Sequence, residues 1–484
     1  LDKGFYKHYG KENHPDTDQA NQGEFQCFSV HINSKVRVRL IISRSVPSSN
    51  FAPARVSPKL AKITRSMTGL PHTAIYTDNR SGKAALCREL LQGTPPPELR
   101  FLAGRRGEWF SNARMASFLE EEARHGQAGL NTPTQRSLAT LSSGERKKAL
   151  LQHLLAASPE FLIVDNPFDH LDRHFQKELL ELLQSLSEKI LVIQFLSRHG
   201  DLLPFIRQRA FLNGARLEGF PGYRPLEIPS PLEGPFPGNL PPAPERVPTP
   251  KGPLAAFHNV QLSYAGKPVL KDLSWTIQPG DFWELRGPNG SGKTSLITLI
   301  NGDNPKAYGQ HIDLFGRRKG SGESVWEIKE RIGYFTPAMT DRFRGYHTLE
   351  HMLISGLTDS VGLYLQPTDT QRSMALAWLR LLQLEARKDD LFNALTEGQQ
   401  RLLMCARAMI KHPPLLILDE PTAGLDDASA ALVVALIRKM AAESKTAIIF
   451  VSHREEPGLQ ADRVLELMPG PEGSTGFEVP HLKV

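Results

Sequence analysis

Apolar residues recur at helical spacing across residues 374–384, 400–410 and 428–440, and each stretch predicts a helix with one buried face. Between them stand short aliphatic runs that stop abruptly at polar residues: Leu415-Leu416-Ile417-Leu418 before Asp419-Glu420, and residues 447–451 before Ser452-His453. Runs this short and this uniformly apolar read as parallel strands buried on both faces, ending at the ligand edge of a sheet. Phe282-Trp283-Glu284-Leu285-Arg286 predicts another such strand, and Ser295 to Ile300 can continue a helix after it. Residues 255–262 and 269–277 read as strands on either side of Ala265-Gly266-Lys267-Pro268. Strands alternating with helices predict an α/β fold with a mostly parallel, helix-covered sheet and helical additions.

The pattern occurs twice. Leu141-Ser142-Ser143-Gly144-Glu145 precedes Phe161-Leu162-Ile163-Val164-Asp165-Asn166 as Leu395-Thr396-Glu397-Gly398-Gln399 precedes Leu415-Leu416-Ile417-Leu418-Asp419-Glu420. In both halves the glycine lies 21 residues before the strand-end aspartate, and Leu171-Asp172 and Leu425-Asp426 follow at matching offsets. A shared register of this kind predicts tandem copies of one domain. The copies differ in length, because Lys83 precedes Asp165 by 82 residues whereas Lys293 precedes Asp419 by 126.

Twelve prolines in residues 219–253 exclude helix and central strand, and predict an extended connector between copies at 71–218 and 254–484. Residues 1–70 form a basic extension: Phe25 to Thr77 holds eight Lys or Arg and no acid, with Lys35, Arg37 and Arg39 alternating with apolar neighbours as in a strand. Such a face could meet an anionic partner, but no aromatic platform or recognised motif for nucleic acid accompanies it. The opening Leu1 suggests a fragment or an uncertain start. A net charge of +6 over 484 residues is a weak signal, and Cys27, Cys87 and Cys405 include no close pair for a metal or redox site, which fits a reducing compartment. No apolar run reaches membrane-spanning length.

The chemistry centres on Gly287-Pro288-Asn289-Gly290-Ser291-Gly292-Lys293-Thr294, a GxxxxGK[ST] phosphate loop between a predicted strand and a predicted helix. Its glycines let backbone N–H groups converge on a polyphosphate, Lys293 reaches the outer phosphates, and the Thr294 hydroxyl is the expected Mg²⁺ ligand. Asp419 can hold the magnesium shell, Glu420 can orient or deprotonate a water, and His453 can donate to the terminal phosphate. Tyr264, 29 residues before Lys293, can stack on a purine. Thr396 and the Gly398 N–H would sit at a helix N-terminus, aimed at an anion.

Together these residues resemble the ATP-binding-cassette superfamily, in which two nucleotide domains pair head to tail and each ATP is gripped by the phosphate loop of one and the signature motif of the other. The likeness is closest to the fused two-cassette proteins encoded alongside bacterial molybdate-uptake systems. It is carried by Gly302-Asp303-Asn304-Pro305, by the string from Leu314 to Lys329, and by the string from Ile354 to Tyr364. The resemblance implies two tandem P-loop NTPase domains with helical subdomains, ATP and Mg²⁺ as ligands, and ATP hydrolysis. It also implies a cytoplasmic location, peripheral on the inner membrane if a molybdate permease is the partner; nucleic acid is not an expected partner.

Departures from the family pattern shape the expectation. Thr336-Pro337-Ala338 stand where most members carry a glutamine that couples to a membrane channel. In the first copy, Thr77-Asp78-Asn79-Arg80-Ser81-Gly82-Lys83-Ala84 lacks the opening glycine and the magnesium-binding hydroxyl, and Asn166 replaces the glutamate. An amide cannot act as a general base. Either Arg198 or His199 stands at the histidine position there. One composite site should therefore hydrolyse ATP: Tyr264, Lys293, Thr294, Asp419, Glu420 and His453, completed by Ser142, Ser143, Gly144 and Glu145. The other, Lys83 and Asp165 against Thr396, Gly398 and Gln399, should at most hold nucleotide. The competing reading is a non-transport cassette protein, regulatory or acting on ribosomes or nucleic acid.

Overall fold

The computed structural model describes residues 26–31, 37–42, 70–78, 81–126, 129–130, 137–169, 171–219, 234–244, 252–341, 343 and 345–480. Two compact units result, Leu1–Ser66 and Met67–Val484. In the first, Gln26–His31 pairs antiparallel with Arg37–Ile42. Arg37 thus opens a strand, while Lys35 lies outside the described residues.

The second unit contains two six-stranded sheets of one topology. In the C-terminal sheet the order is Ile332–Phe335, Leu415–Asp419, Ala447–Val451, Phe282–Arg286, Arg463–Met468 and Thr475–Pro480. In the N-terminal sheet it is Gly107–Phe110, Phe161–Asp165, Leu191–Leu196, Thr73–Thr77, Gln208–Asn213 and Arg216–Gly219. Each has five parallel strands and one antiparallel edge strand. The expected tandem α/β fold is present in both halves. Continuous aliphatic runs occupy the centre because both faces are covered: Leu415, Leu416, Ile417 and Leu418 have no exposed surface. Each such side chain contributes about 1.5–3 kcal/mol by leaving water.

Helix starts repeat as faithfully as strands. Ser142 caps Ser143–Ala156 and Thr396 caps Glu397–Met409, each in a reciprocal capping box with Glu145 and Gln399 respectively. Asp172 and Asp426 cap the next helices, Arg173–Ser187 and Asp427–Glu443. These caps explain the matching offsets, since each satisfies otherwise orphaned N–H groups at a fixed distance from the strand.

The halves differ between phosphate loop and signature helix. The second inserts Leu349–Ile354 and Asp369–Leu381, which pack with Glu397–Met409, whereas the first has the single helix Asn112–His125 among its described residues. The second also carries a four-stranded antiparallel sheet, ordered Lys267–Ile277, Ala255–Tyr264, Ile312–Leu314 and Arg317–Arg318. Part of the proline-rich connector is more than a spacer. Phe236 is buried in the core of the helical insertion, Gln383 Nε2 donates to the Pro235 carbonyl at 2.9 Å, and the Leu240 N–H donates to Glu443 at 2.7 Å.

Candidate functional site

Phe282–Arg286 runs at the centre of its sheet, between Ala447–Val451 and Arg463–Met468, and delivers the chain to the loop 287–292 before Lys293–Ile300. Gly290 and Gly292 turn there with φ of +80° and +94°. A side chain at Gly292 would be strained by that φ and would also strike Leu270 at 2.8 Å. The loop opens on a cavity of ≈ 530 Å³ lined by Asn289, Gly290, Gly292, Lys293, Thr294, Ser295, Val269, Thr336, Pro337, Ala338, Asp419 and Glu420. Thr336, Pro337 and Ala338 are thus cavity wall at the place where the family pattern has its glutamine.

Lys293 points its ammonium back at the loop, donating to the Gly287 and Pro288 carbonyls at 2.7 and 3.0 Å. Burial lowers its pKa, while Glu420, Asp419 and Asp172 pull the other way. The neighbouring carboxylates oppose each other: burial, then the charge of Glu420, raises Asp419 to about 6, against the pull of Lys293. His453 Nδ1 lies 3.1 Å from Glu420 Oε1, and its buried Nε2 has no hydrogen-bond partner. Glu420 itself sits at φ +49°, a left-handed conformation uncommon for its residue type. Tyr264 is off the cavity wall; its hydroxyl accepts from Asn304 at 2.7 Å, and Lys306 stands over its ring at 5.6 Å.

The first half closes onto this loop. The Asn289 N–H donates to Asp172 Oδ2 at 3.2 Å, and Asn289 Nδ2 donates to Ser143 Oγ at 3.4 Å. Asp172 was visible in the sequence only as part of the repeat; its carboxylate reaches the phosphate loop of the other half. Behind it, contacts recur in pairs across the two halves. Arg198 donates to the Leu425 and Thr422 carbonyls at 2.7 and 2.9 Å and pairs with Glu456 at 3.2 Å. Arg454 reaches Asp201 at 2.9 Å and Asp169 at 3.4 Å. Arg173 meets Glu455 at 2.7 Å, and the His199 N–H donates to Asp427 at 2.8 Å.

In the first half's own loop several groups of the described residues are engaged with the protein. The Gly82 N–H donates to the Gly214 carbonyl at 2.7 Å, the Asp78 N–H donates to Ser81 Oγ at 3.0 Å, and Lys83 is tied to Asp165 at 2.9 Å. Asn79 and Arg80 lie outside the described residues. Strand register resolves the histidine position, and it chooses neither expected residue. Asp165 pairs with Phe195 as Asp419 pairs with Val451, so Ser197, not Arg198 or His199, corresponds to His453. The contacts agree: the Ser197 N–H donates to Asn166 Oδ1 at 3.0 Å, where His453 meets Glu420. Asn166 shares the left-handed turn, at φ +41°.

A side chain on either signature glycine would collide with its own half. A Cβ on Gly144 would lie 2.3 Å from the Phe175 ring, and one on Gly398 would lie 2.4 Å from Ser429 Oγ. Both are small because the following helix packs against them. Among the described residues, no helix is long and apolar enough to cross a membrane.

The ABC transporter family profile matches residues 270–423. The ABC transporter ATP-binding protein ModF of Escherichia coli K12 is 35% identical over 68% of this chain and 70% of its own. An uncharacterised ABC transporter ATP-binding protein of Schizosaccharomyces pombe is 30% identical over 72% of each. The archaeal ribosome recycling factor aABCE1, solved with the ribosomal stalk protein aP1, superposes with a TM-score of 0.52 over 84% of this chain and 86% of that one at 16% identity, a likeness of fold alone. With a phosphate loop, a duplicated sheet and a relative 35% identical over 70% of its length all in agreement, the chain belongs to the ABC ATP-binding protein family and is an ATPase.

Proposed function

We propose that ATP is hydrolysed at one composite site, formed by the phosphate loop of the second half and the signature helix of the first. The observation that carries this reading is the contact of Asn289 with Asp172 and Ser143. ATP fits the open, left-handed loop and its ≈ 530 Å³ cavity. Backbone N–H groups from Gly292 to Thr294 face the phosphates, and Lys293 swings from the Gly287 and Pro288 carbonyls to the outer ones. The oxygen donors Thr294 and Asp419 line the same cavity and suit Mg²⁺, which when bound neutralises charge developing on the phosphates. Glu420 takes the proton of the attacking water. His453 orients Glu420 through Nδ1 and offers Nε2 to the terminal phosphate. Tyr264, partly exposed, supplies a ring face to the purine.

The other site, Lys83 and Asp165 facing Thr396, Gly398 and Gln399, holds nucleotide at most, because Ala84 lacks the magnesium-binding hydroxyl and Asn166 cannot accept a proton. Lys293→Ala is therefore expected to lower steady-state turnover by at least 100-fold, and Lys83→Ala by less than threefold. Equal losses would remove the asymmetry.

The resemblance of the strings from Leu314 to Lys329 and from Ile354 to Tyr364 to the fused proteins encoded beside molybdate-uptake systems supports a cytoplasmic role beside molybdate uptake. Uptake of labelled molybdate by cells with and without the chain tests this. Reduced uptake on deletion, restored by the wild type and not by Lys293→Ala, is expected. Unchanged uptake would sink the molybdate assignment and leave ATP hydrolysis standing.

A further inference from the structure

The four-stranded antiparallel sheet of the second half carries a side-chain group that ATP hydrolysis does not use. His258 lies on Ala255–Tyr264, Asp313 on Ile312–Leu314, and His311 immediately before that strand. The ladder pairs Ile312 with Phe257 and Asp313 with Ala256, which sets His311 opposite His258; the His258 N–H donates to the His311 carbonyl at 3.0 Å. Directly opposed residues share a face of a sheet, and so do residues two apart along a strand. The pleat therefore brings all three side chains to one face. The two imidazole rings lie 4.4 Å apart between centroids, and their Nε2 atoms stand 3.7 and 3.8 Å from Asp313 Oδ2. One ligand atom from each residue lies within 4.8 Å of the others.

Those separations are too long for hydrogen bonds. They are close to what a metal needs, since ligands at about 2.0–2.1 Å from a tetrahedral zinc lie about 3.4 Å from one another. We propose that His258, His311 and Asp313 form a binding site for a divalent transition metal of the zinc class, with the fourth position open to water. Two imidazoles and one carboxylate favour Zn²⁺, Ni²⁺ or Cu²⁺ over the oxygen-seeking Mg²⁺, so this site is chemically separate from the nucleotide cavity. Occupancy would tie Ala255–Tyr264 to Ile312–Leu314 beyond their backbone ladder. His258 and His311 are half-exposed, which leaves the ion a direct path from solvent.

The test uses the full chain without a histidine tag, stripped by chelator and titrated with Zn²⁺ by calorimetry, with Co²⁺ absorption as the geometric signature. The wild type should bind one more equivalent than the His258→Ala/His311→Ala variant, and Asp313→Asn should weaken that equivalent at least tenfold. Millimolar Mg²⁺ should not compete. Zn²⁺ should raise the Tm of the wild type more than that of the double variant, because only the former gains a cross-link between strands. ATP turnover of the zinc-stripped proteins in Mg²⁺ buffer verifies that the variants are folded, and the single His258→Gln change serves as a milder second probe. Equal stoichiometry and affinity in wild type and variants, or displacement by Mg²⁺, would overturn the site without touching the ATPase assignment.

Discussion

Glu420→Gln should lower ATP turnover by about 10²–10⁴-fold, the range associated with loss of a positioned general base, while ATP binding persists. The side chain keeps its length and its φ of +49°, so no new backbone strain arises. The amide can still meet His453 Nδ1, now 3.1 Å from the carboxylate, and the histidine stays in place. What disappears is the capacity to accept a proton. One electrostatic consequence can be read separately: with the Glu420 charge gone, the Asp419 pKa should fall from about 6, because Glu420 is one of the two causes that raise it. Turnover and bound nucleotide are measured together on the same preparation. A variant that turns over at wild-type rate removes Glu420 from its role, and one that no longer retains ATP shows that binding, not proton transfer, was lost. The reciprocal change, Asn166→Glu, should alter turnover by less than twofold, since Ala84 still offers no hydroxyl for magnesium in that loop.

The sequence made the second half's site legible because its parts are local. A phosphate loop, its flanking strand and helix, and the strand-end pair Asp419-Glu420 each declare themselves within a few residues, and caps such as Ser142 and Thr396 fix the spacing that exposed the duplication. What stayed hidden depends on register or on a third element. Counting residues from Asp165 gave His199 and matching the serines gave Arg198, whereas the pairing of Asp165 with Phe195 selects Ser197. Nothing in a glycine's neighbours along the chain announces that Phe175 fills the space beside Gly144. The docking of Phe236 into the helical core is similarly opaque, because proline content reports the backbone's stiffness and not where its few aromatics come to rest. His258 and the pair His311 and Asp313 are 53 or more residues apart, and only the ladder between their strands brings them together.

Ser142→Asp should abolish most turnover, and Thr396→Asp should change it by less than threefold, although the two residues hold equivalent positions. Substituting the glycines would not give a clean answer. At Gly144 any side chain meets the Phe175 ring of its own half, and at Gly398 it meets Ser429 Oγ at 2.4 Å and Cβ at 2.7 Å, so lost activity at either position could come from a displaced helix. The caps avoid that confusion. Ser142 accepts from the Glu145 N–H at 3.2 Å and Thr396 from the Gln399 N–H at 3.4 Å, and aspartate caps a helix about as well as serine. Both variants should therefore fold, each with one added carboxylate at a helix N-terminus, where a negative charge is favourable without ligand. The difference arises when ATP is present. Ser143, next to Ser142, already touches Asn289 of the competent loop, so the new charge at 142 faces the polyphosphate held by Lys293. Two like charges about 4 Å apart near a protein surface repel by about 4 kcal/mol, enough for a loss of 100-fold or more. In the proposed pairing Thr396 instead belongs to the signature that completes the site of Lys83 and Asp165, and that signature already carries a carboxylate, Glu397, where the first has Ser143. Circular dichroism and Tm establish that both variants fold before turnover is compared. Heavy loss at Thr396 with mild loss at Ser142 would mean that each half completes its own site, and the composite arrangement would fall.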